Sequence, residues 1–389
     1  MITWDSDDVT MKKITSQWLF IINTLFMLPA AMAQGGYYAI PEIAISKVDD
    51  DNLFLTPGEE KQDIVTRITP AIEFGFDSEL LSWNGSYTVD AERYNRYSAL
   101  DNNSMRESAG LSFEFIPNRL TQFSVDANYT ETQTPGELNL VTGLERGRFK
   151  ATRSFVNPIL IYQLGAASFA SFDYSLRADK LAGGVSGDRH QTVVGYTRTF
   201  NEMNEFSAGY TFRRYTIENG EDDETSHLPW LGIVHKLSAR TSIDARGGPR
   251  QIEGEIEPYL RLSLLHEYVN GEIDVNYIRD EITLIGESGR RETETVGLSL
   301  FHQIGNNFQL EISPRYGTVT RRGTDAEIYR FTIDARYRIN TNFELSASWN
   351  YSSQDEFFNS TIEQSVKRNV FLFGINYATS FPRSRRVNR

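Results

Sequence analysis

YRFTIDARYRINTNFELSASWNY, residues 329–351, alternates with a period of two on both sides of a short polar interruption. Tyr329, Phe331, Ile333, Ala335, Tyr337 and Ile339 share one parity; Arg330, Thr332, Asp334, Arg336 and Arg338 share the other. After Asn340-Thr341-Asn342 the beat resumes, with Phe343, Leu345, Ala347, Trp349 and Tyr351 against Glu344, Ser346, Ser348 and Asn350. Successive side chains of a β-strand point to opposite faces, so this is a hairpin with one apolar, aromatic face and one polar face. Asn suits the turn because it tolerates positive φ and hydrogen-bonds its own backbone. Each strand runs to about ten residues, the length a tilted strand needs to cross a bilayer.

The same rhythm extends in both directions. Towards the N-terminus, Tyr38–Val48 is weakly patterned. Ile64–Phe76 alternates clearly but contains Pro70, tolerated only where a ladder bond is missing or bulged. Trp83–Ala91, Ala109–Phe115, Phe123–Tyr129, Phe172–Leu176, Val194–Phe200 and Phe206–Phe212 continue the pattern. So do Leu231–Leu237, Leu260–Leu264, Ile273–Tyr277, Val296–Leu300 and Phe308–Ile312, and Phe371–Tyr377 with Phe381 closes the chain. Arg148–Gly165 is the least regular stretch: Phe149 and Ala151 begin a strand, and Asn157-Pro158 breaks it.

Short turns near residues 78, 118, 203, 239, 270, 306 and 341 alternate with longer polar connections. The latter fall at 49–62, 98–105, 134–146, 179–190, 217–227, 248–255, 284–292, 321–327 and 353–367. Asn270-Gly271 is the strongest short hairpin signal. Short turns on the periplasmic side and long loops outside are the outer-membrane pattern. The fold class predicted is therefore all-β: a transmembrane antiparallel up-and-down β-barrel of about 18 strands. Sixteen is the alternative, because of Arg148–Gly165. Sandwiches and propellers also use many alternating strands, but sandwich strands average roughly five or six residues and no fixed-period blade motif recurs here.

Composition alone reads as soluble, with 40% hydrophobic and 23% charged residues. Low hydropathy is nevertheless what a barrel shows, since only every second residue meets lipid. The 24 Phe and 19 Tyr fit girdles at the two membrane interfaces. Lys12-Lys13, the apolar run Trp18–Leu28 and Ala31-Met32-Ala33 before Gln34 have the layout of a cleaved signal peptide. This places the translation start at Met11, with residues 1–10 a mis-assigned extension, 11–33 the signal peptide and 34–389 one barrel domain. The expected location is the outer membrane of a Gram-negative cell, with outer-membrane lipid and lipopolysaccharide as surroundings. The absence of cysteine removes thiolate metal sites and a cysteine nucleophile. A net charge of −13 argues against nucleic acid as partner.

With apolar faces outward, the other parity lines the lumen. Early strands place Glu73, Asp90, Glu92, Glu114 and Asp126 inside, an acidic arc. Later strands place Arg213, Arg246, Arg261, Arg315, Arg330, Arg336 and Arg338 inside, with Glu311, Asp334 and Glu344 among them. Such arcs set a transverse field that orients a charged solute, or they pair across neighbouring strands and only hold the wall together. Tyr259 and Phe301 are the inward aromatics on which sugar rings could slide. The acidic runs Asp49–Asn52 and Glu221–Glu224 fit no defined calcium loop and read as solvated surface. His190, His227, His235, His266 and His302 lack metal-ligand spacing, and no Ser-containing motif surrounds His235 or His302. No catalytic residue and no cofactor are expected.

Pro41-Glu42-Ile43-Ala44-Ile45-Ser46, running into Asp50-Asp51-Asn52-Leu53-Phe54-Leu55, and Ile64–Ile72, leading to Trp83–Tyr87 and Tyr94–Tyr97, carry a resemblance. They resemble the outer-membrane β-barrel family associated with PEP-CTERM/exosortase systems and exopolysaccharide loci. The likeness covers mainly residues 38–130, and later strands match in rhythm only. It implies a porin-like channel near surface-polysaccharide production or export, with polysaccharide or periplasmic export components as partners. It brings no catalytic residues. A general diffusion porin, a structural or plugged barrel, and a barrel hydrolase are the competing functions.

Overall fold

A computed structural model describes residues 36–58, 60–134, 138, 148–217, 223–252, 254–285, 290–321, 324–358 and 361–379. The expected start, the signal peptide and Phe381 lie outside the described residues.

Eighteen strands follow one another: β1 Tyr37–Asp50, β2 Asp63–Asp77, β3 Leu81–Tyr94, β4 Asn102–Asn118, β5 Thr121–Thr132 and β6 Ala151–Gly165. Next come β7 Ser168–Leu181, β8 Gly187–Asn201, β9 Asn204–Ile217, β10 Glu224–Ser238, β11 Thr241–Ile252 and β12 Glu255–Tyr268. The last six are β13 Gly271–Thr283, β14 Arg290–Ile304, β15 Phe308–Arg321, β16 Thr324–Arg338, β17 Phe343–Phe358 and β18 Thr361–Ala378. Each strand pairs antiparallel with its predecessor, and β1 pairs with β18 from Glu42↔Ala378 to Asp50↔Val370, which closes the sheet. Closure leaves no edge, the condition for a sheet in hydrocarbon. Ile43, Ile45, Leu231, Val194, Phe371 and Phe373 stand exposed on the outer face. Among the described residues no helix is long and apolar enough to cross a membrane.

The Tyr329–Tyr351 hairpin is β16–β17, with Phe331 opposite Tyr351 and Ile333 opposite Trp349. Its turn works through Asn340, whose Oδ1 accepts from the Asn342 and Phe343 amides at 2.9 and 3.0 Å. No positive φ is used, because Leu55 alone among the described non-glycine residues has one. At Asn270-Gly271 the register sits one residue earlier than expected: Gly271 already pairs with Tyr268, so Val269-Asn270 make the turn. Gly271 is needed for close approach, since a Cβ there would strike the Phe301 carbonyl.

Two further expectations are corrected. Asn157-Pro158 does not break a strand; both lie inside β6. Pro158 faces Val125 on β5, while the ladder to β7 skips from Val156↔Leu176 to Ile159↔Asp173. The missing amide donor falls in that gap, and Asn157 Nδ2 fills it by donating to Asp173 Oδ1 at 2.8 Å and the Tyr174 carbonyl at 3.0 Å. Pro70 follows the rule stated for it, in a gap between Ile68↔Ala91 and Ala71↔Thr88. The second correction concerns loop length. β11 and β12, β15 and β16, and β17 and β18 are separated by only two residues each, so 248–255, 321–327 and 353–367 are largely strand.

Lipid exposure sets one measurable consequence. Ile333→Arg on the outer face of β16 is expected to cost about 2–4 kcal/mol if it lies near the midplane, whereas Thr332→Arg on the lumen face costs less than about 1 kcal/mol. Urea titration of the barrel folded into phospholipid vesicles measures both.

Candidate functional site: the lumen wall and its mouth

Eighteen strands spaced about 4.8 Å and tilted about 40° enclose a ring roughly 35 Å across. Wall side chains cannot fill that width, so the connections at the long-loop rim decide what occupies it. Three apolar groups form there, on the inside. Leu53 of the β1–β2 connection packs with Val48, Val65, Tyr94 and Met105. Leu284, after β13, packs with Val319, Ala326 and Ile328, and Ile285 packs with Ala151 and with Leu138 of the β5–β6 connection.

The β13–β14 hairpin supplies two of these contacts because its tip leaves the wall. Ile273, Val275, Tyr277 and Arg279 face outward, so alternation predicts that Glu281 does too. Glu281 is instead 1% exposed and reaches Arg213 on β9 at 3.1 Å. Beside it, Asp280 binds Arg213 through two bonds of 2.7 and 3.0 Å and accepts from Arg250 on β11 at 3.1 Å. Arg250, wholly buried, donates to Glu257 on β12 at 2.6 Å. Arg290, on the return strand, approaches Glu257 at 3.5 Å and Glu224 at 3.8 Å. Arg177 Nη2 on β7 donates to the Thr283 carbonyl at 3.2 Å. The tip thus lies across the mouth, held by ion pairs on the β9–β12 side and by apolar contacts on the β15–β16 and β6–β7 sides.

The acidic run Asp49–Asn52, expected to be solvated, is a tether. Asp50 pairs with Arg368 at 2.7 Å, Asp51 accepts from the Asn369 amide at 2.7 Å, and buried Asn52 donates to the Lys367 carbonyl at 2.9 Å. Glu221 lies outside the described residues; Asp223 pairs with Arg214. Among the described residues no group of three or more metal-ligating side chains assembles.

The two arcs behave differently. Every acidic residue is engaged by a neighbour. Glu73 accepts from Tyr38 at 3.1 Å, Glu114 from Gln122 at 2.7 Å and Asp126 from Ser112 at 2.8 Å. Asp90 accepts from Thr69 at 2.7 Å, with Arg67 and Arg106 at 3.7 and 3.9 Å, and Glu92 is held by Arg67 at 2.7 Å. On that side Asp90 and Glu92 meet arginines, while Glu73, Glu114 and Asp126 accept from neutral donors. The basic arc sets like against like. Arg246 lies opposite Arg261, Arg315 opposite Arg330, and Arg177, which sequence reasoning passed over, opposite Arg189. Like charges directly opposite are destabilising in a sheet. Arg246 stacks on the Trp230 ring at 4.2 Å but makes no ion pair among the described residues, and neither do Arg261, Arg336 or Arg338. Of the aromatics proposed as a sugar track, Tyr259 and Phe301 occupy inward positions, and Trp230 is a further inward ring, covered by Arg246.

Solved structures were found with similar architecture. OpdL of Pseudomonas aeruginosa is 12% identical, with a TM-score of 0.47, over 88% of this chain and 98% of that one. OccAB4 of Acinetobacter baumannii is 10% identical (TM-score 0.47, 90% and 99% covered). The outer membrane protein OpdK from Pseudomonas aeruginosa is 9% identical (TM-score 0.48, 88% and 99% covered). No protein-family model and no curated protein matches the sequence.

Removing one partner of a buried ion pair costs about 3–5 kcal/mol. Asp280→Ala is therefore expected to speed amide hydrogen exchange at the tip of β13 by about a hundredfold or more, with the amides of β2–β5 unchanged. Equal exchange in mutant and parent would show that the pairs do not hold the tip.

Proposed function

We propose that the protein is an outer-membrane channel whose water-filled path favours anionic, polar solutes, and that it serves exopolysaccharide export. The observation that carries the solute class is the basic side of the lumen. Glu311, Asp334 and Glu344 stand among these arginines, yet Arg246 faces Arg261 and Arg315 faces Arg330 directly. Arginines held against arginines lower the energy of an anion passing between them at the cost of the barrel's own stability. Exopolysaccharides that carry carboxylate groups belong to that class. Their involvement rests on the sequence resemblance of residues 38–130.

A closed barrel with a structural role is the second reading, favoured by the β13–β14 tip across the mouth. Liposome swelling separates the two: entry of small sugars with a size cut-off supports a channel, and no swelling supports the closed barrel. Selectivity tests the solute class. In planar bilayers under a salt gradient, substitution of Arg330, Arg336 and Arg338 by Gln is expected to move the reversal potential towards cation preference. An unchanged potential rejects the anion reading. Deletion of the gene, followed by assay of matrix polysaccharide, tests the export role: undiminished surface polysaccharide rejects it.

A further inference from the structure

On the β7–β9 side of the mouth, three donors stand in one register row. Arg177 lies directly opposite Arg189, and Arg189 directly opposite Tyr215. The carboxylates around them face other arginines, although Glu281 Oε2 is buried without a hydrogen-bond partner. Asp179 is gripped by Arg153 through bonds of 2.6 and 2.9 Å and again by Arg177 at 2.7 Å. Asp280 is gripped by Arg213, Glu281 approaches Arg213 and Arg250, and Glu224, next in the row beyond Tyr215, faces Arg290. Among the described residues Arg189 stands between these pairs with no ion pair and no side-chain hydrogen bond, and its Nε is buried without a partner. The Tyr215 hydroxyl is in the same position: the residue is 1% exposed and the oxygen has no partner.

A half-buried guanidinium with no ion pair and an orphaned Nε is costly, and a buried hydroxyl without a partner adds to that cost. Placing Arg177 opposite Arg189 compounds it. One kind of guest relieves all three: a group that brings negative charge together with acceptor lone pairs. We infer that Arg189, Tyr215 and Arg177 form a seat for an oxyanion group, a carboxylate, phosphate or sulfate carried by a solute at the mouth of the barrel. Arg189 offers its planar fork to two oxygens, which matches a carboxylate or phosphate edge. The phenol donates to the remaining lone pair, and Arg177, already committed to Asp179, adds field more than contact. A neutral sugar supplies no such charge and leaves the guanidinium uncompensated. The seat deepens the anion-channel reading, but binding is measurable whether or not the barrel conducts.

The test is calorimetric titration of the detergent-solubilised, full-length barrel at low salt with inorganic phosphate, glucuronate and glucose. Phosphate and glucuronate are expected to bind and glucose not to. Tyr215→Phe is expected to weaken binding about tenfold and Arg189→Gln about a hundredfold. Arg198→Gln, on the outer face beside Phe200, leaves it unchanged. Heat-modifiable gel migration verifies that each variant is folded, and Tyr215→Phe keeps the ring, so the test survives if Arg189→Gln fails to fold. Phosphate binding without glucuronate supports the seat with a free anion as its occupant. Absence of anion binding by the parent barrel, equal binding of glucose, or equal anion affinity in both folded variants would overturn the inference. Anion binding in a barrel that fails to swell liposomes would leave the seat standing and remove the channel.

Discussion

The constraint on which everything else depends is that backbone amides and carbonyls find no water in a bilayer core. A sheet can cross only if each of its edges is paired, and here the pairing of β1 with β18 accomplishes that. Width follows from strand number, because spacing and tilt are fixed by backbone geometry. With eighteen strands the lumen is too broad for wall side chains to fill. The connections at one rim then do more than link strands. They determine how much of the ring stays open, and the apolar groups around Leu53, Leu284 and Ile285 are the result.

Those groups also explain an inversion along the strands. In the membrane belt the outer parity is apolar and the inner parity polar. Towards the long-loop rim, Val48, Val65, Val319, Ala326 and Ile328 turn apolar side chains inward, while Glu107, Glu131 and Glu327 stand on the outer parity. Water lies outside at that height and loop residues lie inside, so the same pleat serves the opposite contrast. This is why residues 321–327 and 353–367 read as loop in the sequence: polar outer positions resemble a connection when lipid is assumed to be the only surroundings. Strand β6 was illegible for a related reason. Phe155, Ile159 and Ile161 face inward while Val156, Leu160 and Tyr162 face lipid, so the alternation disappears although the strand persists. Where both rules coincide, as in Tyr329–Tyr351, strand, turn and facing direction were all readable.

The lumen charges show where one-dimensional reading stops. Parity alone places Glu73, Asp126, Arg246 and Arg338 on the inner face, because alternation is local. Which charges neutralise which is not local. Asp280 lies 67 residues from Arg213, and the strands that carry them are not neighbours in the sheet. The contact exists only because the β13–β14 tip abandons the wall, and the sequence signal for that is faint. It consists of Leu284-Ile285, an apolar pair just after a strand whose outer parity turns from apolar residues to Arg279, Glu281 and Thr283. Arg177 and Arg189 are not legible as a facing pair, because the apolar alternation ends at Leu176 and residues 179–190 have the polarity of a connection.

The forces that hold the tip follow from the medium it sits in. A hairpin laid across a water-filled mouth has apolar contact along part of its surface only, so ion pairs must position the remainder. Bidentate arginine–carboxylate bonds set direction and register more sharply than they add stability, because desolvation offsets much of the Coulomb attraction. Salt screens partly buried pairs much less than exposed ones, so the tip keeps its place across changes in ionic strength that erase surface pairs such as Arg214–Asp223. Aliphatic packing alone would have left the hairpin free to slide along a smooth wall. Carboxylates bound by arginines from β9 and β11 give it one position, and the same arginine-rich wall, once Asp179 and Asp280 are engaged, leaves Arg189 between them with a buried, unpartnered Nε and no ion pair among the described residues.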